Sequence, residues 1–247
     1  MFSTSIKTIL QNKSNQHILL VLFWSTRLTI YLLYREYCLW YPQLHSKMKE
    51  MNQRANFYQS KFSIWLYVSV YYTLLYLPCY HSMLAQFNGN VAEGKKVTNA
   101  GLYVSCIGLG LESVADVQKS MYKQKLKKHP LQKWCETGIW KYNTHPNYIG
   151  EVLFWIGLYI SNFMQLQKSK IAWLGSTVGI GIMLFIMKTA HGQLSLVQCR
   201  TYGDDDRYVE YRAKCESLLG YVKFGLVVLI WSLIARFGLA LIVKYLF

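Results

Sequence analysis

Apolar runs long enough to cross a bilayer alternate with polar, lysine-rich stretches along the whole 247-residue chain. Spanning a hydrocarbon core takes about 20 mostly apolar residues per helix. Six windows come near that length: about His17 to Tyr34, Phe62 to Phe87 with Pro78 inside it, Thr98 to about Val114, Tyr148 to about Leu166, Ile171 to Leu196, and Val222 to Tyr245. The third continues as an amphipathic extension, and longer loops are expected near 36–61, 119–147 and 199–221. This pattern predicts an all-α integral membrane protein, a bundle of about six transmembrane helices. Residues 1–15 read as an N-terminal segment, 16–221 as the main helical membrane domain and 222–247 as an additional C-terminal transmembrane helix. Because the first 15 residues lack a sustained apolar core and a small-residue cleavage site, no cleavable signal peptide is expected.

Composition agrees with a membrane protein: 53% of residues are hydrophobic and 16% charged, against roughly 25% charged in soluble domains. The six cysteines are scattered, with no C-x-x-C pair and no histidine at metal spacing, so they read as reduced, mostly apolar filler and no metal site is expected. The net charge of +15 carries more information in its placement than in its size. On the six-helix reading, the 27 cations divide into 17 on one face, 7 on the other and 3 inside helices. Short basic loops stay on the cytosolic or matrix side, which puts the three long loops there. Such a face attracts anionic phospholipid, cardiolipin included, at about 1 kcal/mol per nearby cation. Cations dispersed over membrane loops make no continuous nucleic-acid footprint, so no nucleic-acid partner is expected.

Two places carry polar groups where a membrane helix tolerates few. Glu112 and Asp116 are four residues apart and share a helical face that Lys119 and Lys123 continue. They fit an interfacial helix with its own ion pairs. They also fit the lining of a polar cavity, because an ionisable group at membrane depth is penalised by about 2.5–3.5 kcal/mol on insertion scales. The second place is Gly138 to Glu151, GIWKYNTHPNYIGE, where a polar loop feeds a membrane helix. Pro146 suits the first turn of that helix and Asn143 or Thr144 its cap. Its free N–H groups suit phosphate; Lys141 offers a cation, Tyr148 a face for stacking and His145 a group titrating near neutral pH. The same residues fit an ordinary cap and an aromatic belt.

Three ordered blocks lead to a resemblance: Trp24-x-x-Arg27-Leu28 with Tyr31-Leu32 and Arg35; Gly110-x-Glu112-x-x-Ala115-Asp116-x-Gln118-Lys119; and Gly138-x-Trp140-x-Tyr142-x-x-His145-Pro146-Asn147-Tyr148-x-Gly150-Glu151. Tyr208-x-x-Tyr211-Arg212 makes a fourth. Together they resemble the steroid 5α-reductase C-terminal-domain-like superfamily, in its branch of membrane proteins with a domain of unknown function. The resemblance implies a helical bundle that binds NADPH from the cytosolic side and delivers hydride to an activated carbon–carbon double bond in a lipid. On matching positions Asp116, Lys123, Asn147 and Tyr148 are implied to touch the cofactor and Glu151 to organise the loop. His145, His191 and Tyr208 complete the implied cofactor set.

Departures from the family pattern shape the expected function. Thr144 stands where the family usually has arginine, which removes a bidentate phosphate donor. Val197 and Gln198 replace an acidic residue, and Leu219, Gly220 and Tyr221 replace a closing Ile-Pro. Trp24 takes the place of a proton-donating tyrosine, and an indole N–H is too weak an acid to protonate an enolate. Two front helices of the family have no counterpart, and a C-terminal helix is added. The favoured expectation is therefore a non-catalytic accessory subunit of a larger membrane complex, with lipid binding and no cofactor or a vestigial NADPH site. The alternative is an NADPH-dependent membrane reductase of a lipid or steroid double bond. The mitochondrial inner membrane is the favoured location, and the endoplasmic reticulum the alternative.

Overall fold

The computed structural model describes residues 13–37, 57–89, 95–128 and 134–216. They form seven α-helices and no strand: α1 Lys13–Tyr37, α2 Phe57–Phe87, α3 Lys95–Lys128, α4 Pro146–Ser161, α5 Phe163–Leu166, α6 Lys170–Tyr202 and α7 Asp206–Glu216, with a 3-10 turn at Gly138–Lys141 before α4. Four stretches are long and apolar enough to cross a membrane: Gln16–Arg35, Phe62–Phe87, Val97–Lys125 and Lys170–Tyr202. The protein is an all-helical membrane protein.

Two of the six expected spans stand differently. The window from Tyr148 is broken at Asn162, which leaves helical geometry at φ −104° and ψ 2°. Its side-chain amide donates to the Leu158 carbonyl at 2.7 Å and the Ser161 hydroxyl donates to the same carbonyl at 3.0 Å. Side chains thus compete with the main chain for that acceptor. The 16 residues of α4 reach only about 24 Å, short of a core about 30 Å thick. The sixth window, Val222 to Tyr245, lies outside the described residues, as do Cys38 and the stretch 1–12. The expected loop from 119 is helical as far as Lys128, because no glycine or proline intervenes before Pro130.

The chain divides into two compact units. Unit one comprises residues 1–106 and 152–187. At its centre Trp24 stacks on Phe154 at 5.6 Å, with Trp155 edge-on at 5.0 Å and Tyr72 at 5.8 Å. Such aromatic geometries add stabilisation beyond simple burial. Here α3 and α4 meet almost backbone to backbone. A Cβ on Gly101 would collide with the Ser161 backbone, and one on Gly157 with Ser105. The close approach lets the Ser105 hydroxyl donate to the Phe154 carbonyl at 3.0 Å, the small-residue packing expected where lipid offers no hydrophobic drive. A buried polar cluster completes the unit: Ser161 Oγ lies 2.8 Å from His17 Nε2, and Asn162 Nδ2 lies 3.1 Å from Ser161 Oγ.

Unit two comprises residues 107–151 and 188–247, described as far as Glu216. Its core is Ala115, Ile139 and Trp140, with Leu111, Val114 and Cys135 packed around them. Gly138 enters the 3-10 turn at φ +59°, a conformation that other residues adopt only with strain. That bend aims the Ile139 amide at Gln118 Oε1, 3.0 Å away. The Trp140 indole donates to the Ala115 carbonyl at 3.0 Å. From α7 the Tyr211 hydroxyl donates to the Trp140 carbonyl at 2.7 Å. Helix, turn and surface helix are thus fastened by side chains.

Candidate functional site

Glu112 and Asp116, only 3% and 5% exposed, occupy the buried face of α3 in unit two. One to two turns further along, Lys119, Tyr122 and Lys123 line a cavity of about 190 Å3. Trp134, Cys135, Trp140, Thr144, Leu194, Gln198, Tyr202, Tyr208 and Tyr211 supply its other walls, and among the described residues no lining residue is acidic. The ammonium of Lys119 sits 4.4 Å from the centre of the Trp140 ring, a cation–π contact that holds the lysine against the wall. Tyr208 meets Trp134 edge-on at 5.4 Å and Tyr202 at 5.6 Å. The cavity is therefore basic along α3, and aromatic side chains make up most of its other walls.

A second group adjoins it. Thr144 lines the cavity, and its hydroxyl is 3.0 Å from His145 Nδ1. The His145 ring is 1% exposed, stacked on Tyr148 at 5.4 Å and edge-on to His191 at 4.5 Å. Burial, with the charges of His191, Lys119 and Arg212, pushes its pKa down to about 3, so it is neutral at physiological pH. His145 Nε2 and Asn147 Oδ1 are buried without hydrogen-bond partners among the described residues. At the start of α4 the side chain of Asn143 accepts the His145 amide at 2.8 Å. The asparagine thus caps the turn, while Thr144 serves the imidazole.

The sequence-derived residues therefore fall into three groups. Lys123 and Tyr208 line the cavity. His145, Tyr148 and His191 form the ring cluster beside it. Asp116 is buried on α3, Asn147 and Glu151 are half-buried on the first turns of α4, and none of these three lines the cavity. Gly150 packs on Glu112: a Cβ there would lie 2.5 Å from the Glu112 backbone nitrogen. Lys188 is exposed, in keeping with a side chain that snorkels. Sequence reasoning missed Tyr122, Trp134 and Tyr202 as site residues, whereas Tyr211 stood in the fourth block beside Tyr208. Only Tyr122 carried a local signal, lying three residues from Lys119 and one from Lys123. The thiols beside the cavity are not poised nucleophiles, because burial raises the pKa of Cys135 and lifts that of Cys215 to about 11.

Residues 2–215 match the family model described as Protein of unknown function (DUF1295). The chain belongs to this family. No curated protein and no solved structure is significantly similar to it. In this DUF1295 member the matched region holds the whole cavity and the ring cluster, so both are built from residues of the family domain.

Proposed function

We propose that the protein binds a nicotinamide nucleotide at the basic face of the membrane and is an NADPH-dependent reductase of a lipid or steroid double bond. The observation that carries this reading is the position of Thr144. It replaces the arginine of the reductase pattern, yet it lines the same cavity as Lys119 and Lys123. Two ammonium groups there make up for the missing guanidinium as phosphate donors, though without its bidentate geometry.

The cavity suits one end of such a molecule. At about 190 Å3 it exceeds the roughly 150 Å3 that holds a benzene ring and falls short of the roughly 300 Å3 at which most ligand pockets begin. A volume of this size admits a phosphate beside the lysines with part of the attached sugar or base against the aromatic walls. His145 Nε2 and Asn147 Oδ1, at the start of α4, are buried polar atoms without partners among the described residues. When bound, the nucleotide would supply hydride to the electron-poor carbon of the double bond. The chain's own residues position the nucleotide and exclude water from it.

A second reading, a non-catalytic subunit of a larger membrane assembly, is favoured by the surface of α2, where Phe62, Trp65 and Tyr67 are all largely exposed. On either reading, anionic phospholipids such as cardiolipin are proposed partners of the basic face. The proposed location is the mitochondrial inner membrane, with the endoplasmic reticulum as alternative. Purification in mild detergent tests both readings at once. Quenching of Trp134 and Trp140 fluorescence by NADPH in a free monomer supports the reductase. Recovery only as part of a large complex, with no nucleotide binding, supports the subunit.

A further inference from the structure

Tyr122 is a buried residue, 5% exposed, whose hydroxyl has no hydrogen-bond partner among the described residues. An isolated buried hydroxyl costs free energy that a phenylalanine would not incur. The ring lines the cavity wall between Lys119, three residues before it, and Lys123, one residue after it. This helix face therefore carries two ammonium groups and one phenol side chain, with no acid among the described lining residues.

Two positive charges with a neutral donor between them complement a dianion better than a monoanion. Among nucleotide phosphates, the terminal monoester carries close to two negative charges and three acceptor oxygens at neutral pH, whereas each bridging phosphodiester carries one. Aromatic walls opposite supply the face for the base or ring next to it. We infer that Tyr122 is a specificity-determining residue whose phenol donates to a phosphate monoester held by Lys119 and Lys123. This rests on the nucleotide reading and deepens it, because it names the group on the ligand that the chain selects and the side chain that selects it.

The test uses the full chain in phospholipid nanodiscs, with NADPH, NADH and adenosine 2′-monophosphate as probes and cavity tryptophan fluorescence as readout. Tyr122→Phe is expected to weaken NADPH and adenosine 2′-monophosphate about tenfold, as loss of a hydrogen bond to a charged group does. NADH, which lacks the monoester, should change by less than about twofold. The melting temperature should hold or rise, since the oxygen removed has no partner among the described residues. Lys123→Met should weaken the same two probes. Unchanged NADPH affinity in Tyr122→Phe overturns the inference and leaves the nucleotide reading standing. A parallel loss of melting temperature and of all three affinities also overturns it, because the residue then acts in folding. If wild-type protein binds none of the probes, the inference and the nucleotide reading fall together.

Discussion

In unit one, Gly101, Ser105 and Gly157 let two helices touch backbone to backbone; in unit two, Gln118, Trp140 and Tyr211 join helix, turn and helix through side-chain hydrogen bonds. The first arrangement brings Gly101 and Gly157 directly against the backbone of the facing helix. The second holds apart elements whose side chains enclose a basic, aromatic cavity, and it buries Glu112, Asp116 and His145. Close packing gives the one region its cohesion, while hydrogen bonds give the other a space that a ligand can fill.

The comparison breaks most readily at its tightest contact. Gly101→Leu should cost more than about 3 kcal/mol, because the obstacle is Ser161 backbone and cannot swing away; little folded protein should be recovered by size-exclusion in detergent. Trp140→Ala comes next, at about 3–5 kcal/mol. Its effect should concentrate in unit two, so hydrogen exchange should quicken within 107–151 and 188–216 and stay slow in α2. Uniform acceleration would show that the two regions unfold as one.

The pH dependence sharpens the contrast. The folded-state pKa of His145, about 3, lies below the unfolded value of about 6.5. The unfolded chain therefore binds the proton first, and stability present above pH 6.5 is lost as the pH falls toward 3. Between pH 7 and pH 5 the loss should reach about 2 kcal/mol, read as a falling melting temperature that His145→Gln flattens. Tyr211→Phe should cost about 1 kcal/mol, since it frees the Trp140 and Cys135 carbonyls. Glu210→Ala, which breaks the exposed pair with Lys214 at 2.7 Å, should leave the melting temperature unchanged within error, as such pairs contribute little.

Much of the helical plan could be read from hydropathy. Runs such as 62–87 and 171–196 have no polar alternative to membrane or core, and the helix start at Pro146 follows from its fixed φ. Asn162 was harder, because an asparagine ends a helix only when its amide captures a nearby carbonyl. The candidate site was legible in half. Asp116, Lys123 and His145 stood out as charged or titratable groups within or beside apolar sequence. Trp134 and Tyr202 did not, since aromatic residues are common at membrane interfaces whatever their role.

By itself the sequence determined an all-helical membrane protein, because hydrophobic length acts locally along the chain. Only the tertiary structure decided that Lys119, Tyr122 and Lys123 share a cavity with Thr144 and Tyr208. It also decided that Trp140 is held by Tyr211, 71 positions away. Such contacts depend on how separate helices pack, and no local periodicity records them.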